Sequence, residues 1–251
     1  MPHLAALATL VASLAVIGPL PARAGDTWST PFPGVRLLVR STNAPNKIRA
    51  VEVSLCHVGI KVRATRPSER GQTVGAFAQA VGAQLAINGD LFSTGFIPSG
   101  MAVGRGQWWG DPDNSWEGYV AFGADQVDLA PVRPSLDAPL PWMTDLVSGR
   151  PQLLGDGQRV EIPAGVQAFC GSRAPRSAVG FSRDGSKLYL AVVDRMPRDT
   201  GTTSRGMTCT EMADLMKGLG AWEAMNLDGG GSTQLWVRGK GYVNDPSGNN
   251  H

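Results

Sequence analysis

Two short stretches of this chain set an amide and a carboxylate two residues apart: Asn88-Gly89-Asp90 and Asn226-Leu227-Asp228. The second runs straight into Gly229-Gly230-Gly231-Ser232-Thr233. Two carboxylates can divide acid, base or nucleophile work between them, and nearby amides can orient a substrate or the acids themselves. Consecutive glycines each cost roughly 0.5–1 kcal/mol against alanine in lost chain entropy, so they belong where the backbone takes positive φ or another group comes close. A run of glycine N–H groups also makes an anion nest. The plainer reading is a tight turn in which Asp228 binds its own backbone. A nucleotide-binding loop does not fit, because no Gly-Lys-Ser/Thr follows and residues 237–241 read as strand and turn.

Each motif ends a short apolar run, residues 84–88 and 224–228, that reads as a buried strand entering a loop. A helix and a glycine precede each run. Residues 73–82 have helical spacing with Thr73 as cap and Gly82 as stop. Residues 208–220 give the clearest helix, with Thr208 or Thr210 as cap, Glu211 early, Lys217 late and Gly220 at the end. The two units suggest an internal pseudo-repeat. If their strands neighbour each other in one sheet, both amides and both carboxylates meet at one edge, where folds place their chemistry.

The remaining elements read as strands. Residues 35–40, 48–55 and 59–65 suit strands, the last two joined by a turn at 56–58. Residues 119–123 pair with 125–129, and 177–182 with 187–194 across Arg183-Asp184-Gly185-Ser186, the clearest hairpin. Residues 93–116 read as a long irregular segment, 131–145 as a proline-rich connection and 195–206 as a polar loop. The expected class is α+β: mixed, strand-rich sheets with a few helices packed on them and catalytic loops at strand ends.

Asp194 closes a third strand before a charged loop. Arg173, Arg176, Arg195 and Arg205 lie near these ends in sequence, and an arginine fork suits a phosphate or carboxylate. For Arg173, Arg195 and Arg198 the plain reading is a solvated charge. Glu211 in the first turn of its helix is favoured by the helix dipole alone and needs no catalytic role for that.

Within residues 1–24 an apolar run from Leu4 to Ile17, broken by Gly18-Pro19 and followed by Ala22-Arg23-Ala24, has the pattern of a cleaved export signal and is too short to span a bilayer. Residues 25–251 are expected to be one exported domain, periplasmic or extracellular. Losing Arg23 takes the net charge from +2 to +1, which gives no support for a nucleic-acid partner. No later segment is apolar enough for a membrane span, and nothing indicates an oligomeric state. Of the three cysteines, Cys56, Cys170 and Cys209, the preferred pair is Cys170 with Cys209. A zinc site is disfavoured by the wide spacings and scarce histidines.

Asn88-Gly89-Asp90-Leu91-Phe92, residues 174–180, Asp194, residues 206–213, the glycine motif and Asn244-Asp245-Pro246-Ser247 together resemble the phosphodiester glycosidase domain, in that family's order over roughly residues 50–248. The family includes the lysosomal phosphodiester α-N-acetylglucosaminidase. Ser177 stands where the family usually has threonine, and Arg195 where it commonly has glycine. Its members tend to continue into a further strand, which a domain of residues 25–251 would lack.

The resemblance implies hydrolysis of a sugar-1-phosphodiester on a glycan or envelope polymer. A phosphate ester leaves readily, so the transition state mainly needs an anion beside an oxocarbenium-like sugar and a base or nucleophile. Asp90 and Asp228 are the expected carboxylates, with Glu211 third. Arg176 and the N–H groups of Gly229, Gly230 and Gly231 would hold the phosphate beside Ser232, while Asn88 and Asn226 orient sugar hydroxyls or the acids. Asp194 would ligate a cation or position Arg176. No cofactor is expected to be required, although Asp90, Asp194 and Asp228 could gather around Ca²⁺ or Mg²⁺. The non-catalytic alternative is an envelope or exopolysaccharide binding module using Trp108, Trp109, Trp116, Trp222 and Trp236. A serine hydrolase lacks a plausible histidine base.

Overall fold

The computed structural model describes residues 25–43, 45–110, 118–130, 138–196 and 204–247. The expected export signal, Trp116 and Arg198 lie outside the described residues. The first third holds β1 (Asp26–Phe32), β2 (Val35–Ser41), β3 (Lys47–Ser54), α1 (Val74–Ala80) and β4 (Leu85–Ile87). Short strands follow: β5 (Phe92–Ser93), β6 (Ile97–Pro98), β7 (Met101–Gly104), β8 (Gln107–Gly110), β9 (Gly118–Phe122) and β10 (Val127–Ala130). Next come β11 (Asp145–Gly149), β12 (Gln152–Gly155), β13 (Gln158–Arg159), α2 (Gln167–Cys170), β14 (Arg176–Phe181) and β15 (Lys187–Val193). The chain closes with β16 (Arg195–Met196), β17 (Ser204–Arg205), α3 (Cys209–Leu219), β18 (Glu223–Asn226), β19 (Leu235–Val237) and β20 (Gly241–Tyr242).

The main sheet runs β1-β2-β3-β15-β14-β18-β12-β13, with the expected β14–β15 hairpin in register from Arg176 opposite Val193 to Phe181 opposite Leu188. Strand β15 shows why its sequence is apolar from Leu188 onward. Leu188, Leu190 and Val192 enter one core, while Tyr189, Ala191 and Val193 enter the other. Side chains alternate between faces, so a strand covered on both sides must be apolar at every position. Helix α3 covers the face of Tyr189, Ala191 and Val193 with Met212, Leu215, Met216 and Leu219. The face of Leu188, Leu190 and Val192 meets a sheet ordered β10-β9-β11-β7-β8, through Val120 and Phe122, and the small sheet β20-β19-β4, through Leu235.

Local signals were obeyed where they were strong. Thr73 caps α1 by accepting from the Ala76 N–H at 3.1 Å. Thr208 and Glu211 form a reciprocal capping box on α3, and Gly220 ends it in the left-handed region at φ 106°. The Cys170–Cys209 disulfide is present and Cys56 is free and exposed.

Three expectations change. Residues 59–65 form no strand: the Ala64 N–H donates to the Asp145 carboxylate at 2.8 Å, and Ile60 and Val62 satisfy their alternation by packing on the core without a ladder. The supposedly irregular stretch from 93 contains the hairpins β5–β6 and β7–β8, whose Met101, Ala102 and Val103 are buried. The loop at 195–206 includes the paired strands β16 and β17. The class is accordingly mostly β, with three short helices and only antiparallel pairings among the described strands.

Candidate active site

Strands β4 and β18 do not share a sheet, contrary to the one-edge expectation. Strand β4 pairs with β19, while β18 lies between β14 and β12. Their trailing loops nevertheless converge, because the two motifs bond directly to each other. The Asn88 side-chain amide donates to the Asp228 carbonyl at 2.7 Å, and the Asp228 N–H donates to the Gly89 carbonyl at 3.0 Å. Asn88 Oδ1 accepts from the Ser177 hydroxyl at 2.7 Å and from the Gln234 N–H at 3.1 Å. One amide thus ties β4, β14 and the segment after the glycine turn into a single frame. Ser177 is fully buried, so this hydrogen bonding is shielded from competing water.

Asp90 is held from a third direction. The Ser148 N–H and hydroxyl, at the end of β11, both donate to Asp90 Oδ1, at 2.5 and 2.8 Å. Ser148 is fully buried. Burial pushes the Asp90 carboxyl up to about 6 from the usual 3.8; the Ser148 donors oppose that rise and the negative charge of Asp228 adds to it. The two acids therefore feel each other. Asp228 is raised by burial as well, against hydrogen bonds from the Ser232 hydroxyl and the Gly229 N–H, the latter at 2.8 Å. Two carboxyls both pushed upward by desolvation have the kind of perturbation that suits acid and base work in one site.

The glycine motif divides its reasons residue by residue. A Cβ on Gly229 would sit 2.7 Å from the Pro175 carbonyl oxygen, so close approach excludes a side chain there, while Gly230 takes φ +59°. The Gly229 N–H is committed to Asp228 and the Gly230 N–H to the Pro175 carbonyl at 3.0 Å. The expected three-amide phosphate nest is therefore reduced: two of the donors serve the turn, and Gly231 is the exposed member.

Arg176 is placed differently from expectation. Its guanidinium, 3% exposed, donates to the backbone carbonyls of Met207 at 3.0 Å, Phe169 at 2.5 Å and Ser172 at 2.9 Å, and lies over the Phe169 ring. Burial lowers its pKa. It holds the disulfide-bearing segments against β14. Glu211 is likewise engaged, with one oxygen accepting from the Thr208 N–H at 2.9 Å and the other paired with Arg173. Its bonds belong to the helix cap and Arg173, outside the Asp90–Asp228 pair.

Asn226 is 2% exposed and donates to the carbonyls of Arg150 at 2.9 Å and Leu227 at 2.8 Å, which fixes the turn into Asp228. Asp194, 1% exposed, accepts from the Asn244 side-chain amide at 2.9 Å and the Asp245 N–H at 3.1 Å. Burial raises its pKa, opposed by these donors. Asn244 also donates to the Thr233 carbonyl at 3.0 Å and accepts from the Leu235 N–H at 2.7 Å, so Asp194 anchors the chain leaving the glycine turn. Among the described residues, no group of three His, Cys, Asp or Glu side chains is placed to hold a metal ion.

Sequence reasoning missed Ser148 and assigned no task to Asn244. Nothing adjacent in sequence marks Ser148, since its partner lies 58 residues away. Asn244 stood in a quoted motif, and only the contact with Asp194 gives it a task.

A family model described as phosphodiester glycosidase matches residues 81–251. Among solved structures, a hypothetical protein from Synechocystis has a TM-score of 0.70 at 16% identity over 88% of this chain, which spans 61% of that protein's chain. The zebrafish N-acetylglucosamine-1-phosphodiester α-N-acetylglucosaminidase catalytic domain, auto-inhibited by its pro-peptide, has a TM-score of 0.63 at 19% identity, covering 93% of this chain and 78% of that one. At these identities the structural likeness is one of fold. A search of curated proteins returned no match.

Proposed function

The chain belongs to the phosphodiester glycosidase family, and on that premise we propose that it hydrolyses a sugar-1-phosphodiester, releasing free sugar and a phosphate monoester. The observation that carries this reading is the joining of Asp90 and Asp228 by the Asn88 clamp, two partly buried carboxyls whose pKa values both rise. The bond from the anomeric carbon to the phosphate oxygen breaks, and water supplies the hydroxyl that replaces it. A carboxylate beside the anomeric carbon offsets the positive charge developing there, and its partner handles the proton of water. The leaving phosphate ester asks little of a general acid. No metal is invoked. Phosphate recognition falls to the exposed rim of the glycine turn, since the Nε and Nη2 donors of the buried Arg176 are committed to backbone carbonyls.

Export belongs to the same proposal. The Cys170–Cys209 disulfide supports an oxidising compartment, and no described helix is long and apolar enough to cross a membrane. The first substrate to try is a diester of N-acetylglucosamine 1-phosphate, the linkage named for the zebrafish enzyme. Purified protein should release free sugar from it or from a chromogenic analogue, and Asp228→Asn should abolish release with its circular dichroism unchanged. Tight sugar binding without release from any sugar-1-phosphodiester would instead identify a binding module.

A further inference from the structure

The β7–β8 hairpin turns on Arg105-Gly106, between the paired Gly104 and Gln107, and both turn residues take positive φ, 51° and 77°. The β12–β13 hairpin makes the same two-residue turn with Asp156 at φ 51° and Gly157 at φ 70°. Asn, Asp or Gly ordinarily fills the first position, because these reach the left-handed region at little steric cost. At 105 the chain keeps an exposed arginine there instead. A long cation held in a costly backbone conformation is an outlier of the kind that gathers at functional sites. The turn also has close company. A Cβ on Gly104 would lie 2.3 Å from the Thr65 carbonyl oxygen and 2.7 Å from the Arg66 nitrogen, so the turn and the loop of residues 59–71 meet backbone to backbone. The Trp109 indole N–H donates to that Thr65 carbonyl at 3.0 Å, and the Asp145 carboxylate accepts from the N–H groups of Ala64 at 2.8 Å and Arg105 at 3.1 Å. From this junction the loop carries Arg66 and Arg70 to Gly71, which meets Phe96 in the β5–β6 hairpin, the segment that follows Asp90.

We infer that Arg66, Arg70 and Arg105 line a track for a polyanionic substrate, a polymer of sugar phosphates with one linkage cleaved at Asp90 and Asp228, an inference that rests on the function proposed above. Charge argues for this occupant. Glu69 is shared by Arg63 and by Arg66, the latter at 2.7 Å, while Arg70 and Arg105 are exposed and form no ion pair among the described residues. The whole chain carries a formal charge of only +2, so this is a local gathering of cations. Position argues for a polymer. Strand β11 binds the Arg105 turn through Asp145 and holds Asp90 through Ser148, three residues on, which is about 10 Å of strand. A single bond joins the anomeric carbon to the phosphate being cleaved, so Arg105 serves a phosphate further along the chain. The linkage under attack stays with the glycine turn. Arginine forks suit those further phosphates through paired charge-assisted hydrogen bonds.

The test uses Arg70→Gln combined with Arg105→Asn, which removes two charges and leaves the hairpin a residue its turn accepts readily. The substrates are a polymer of N-acetylglucosamine 1-phosphate and a monomeric diester of the same sugar phosphate. In the double variant, kcat/KM for the polymer relative to that for the monomeric diester should fall about tenfold, and its salt dependence should become shallower. An unchanged ratio would overturn the track. By titration calorimetry the Asp228→Asn protein should bind the polymer, and adding the two substitutions should weaken binding about tenfold. Binding untouched by them would overturn the track as well. Single-stranded DNA with the same number of phosphates, bound as tightly as the polymer, would overturn it in favour of a nucleic-acid surface. If wild type hydrolyses neither substrate while polymer binding still depends on the arginines, the catalytic reading fails and the track stands.

Discussion

The two Asn-x-Asp motifs look alike in sequence and are supported in opposite ways. Asp228 follows a strand at the heart of the main sheet and is steadied by its own loop, through the Gly229 N–H and the Ser232 hydroxyl. Asp90 leaves a three-residue strand of the three-stranded sheet and takes its donors from β11, in a sheet to which its own strand does not belong. The asparagines diverge too. Asn88 reaches across to hold the opposite motif, whereas Asn226 stays within its turn and the β11–β12 connection beside it. The resemblance at strand ends therefore reports a shared way of leaving a sheet, and the division of labour comes from what each loop meets next.

The contrast can be broken most decisively at the acids. Asp90→Asn and Asp228→Asn should each lower kcat by about a thousandfold, within the usual span for losing a general acid or base; wild-type turnover from either would remove that acid from the chemistry. Asn88→Ala should come next. It unties the motifs and leaves buried partners unsatisfied, so kcat should fall more than tenfold and urea unfolding should report a loss of about 1–3 kcal/mol. Asn226→Ala should cost stability with a smaller effect on kcat, and equal effects would erase the distinction between the two asparagines.

A third outcome concerns stability against pH. Asp90 has its folded pKa raised from 3.8 to about 6, so its contribution to stability is fully present below the unfolded value and is lost as pH rises through about 6. Asp90→Asn should therefore gain on wild type between pH 3.5 and 7.5, by on the order of 2 kcal/mol in urea midpoints. A gap that does not change with pH would deny the raised carboxyl. The smallest effect belongs to Ser148→Ala. Removing its hydroxyl withdraws a donor that favours the charged form, so the limb of the kcat/KM profile belonging to Asp90 should move to higher pH by less than about one unit. A uniform drop without that movement would reduce Ser148 to a packing residue.

Much of the fold was legible where the deciding interaction is local. The Thr73 and Thr208 caps, the Gly220 stop and the β14–β15 hairpin each depend on neighbours within a few residues, and each formed. Residues 59–65 suit a strand in sequence and form none, because alternation reports burial, and burial does not require a ladder partner. The hairpins after residue 91 were hidden because glycine, tryptophan and proline suit tight turns as well as loops. At the site, Asp90 and Asp228 were visible as residues, and the amides around them as candidates. Arg176 and Glu211 looked the same as free functional charges until their donors and acceptors were counted.

Sequence alone determined which groups are available for chemistry and where the capped helices and the β14–β15 hairpin lie, because these follow from side-chain type and short-range sterics. Tertiary structure decided which of those groups are already spent. It brought the ends of two unrelated sheets together through Asn88, handed Asp90 to Ser148, and closed Arg176 and Asp194 into the frame. A hydrogen bond satisfies a buried polar group from whatever part of the chain the folded packing presents, and that partner's place in the sequence carries no trace of the meeting.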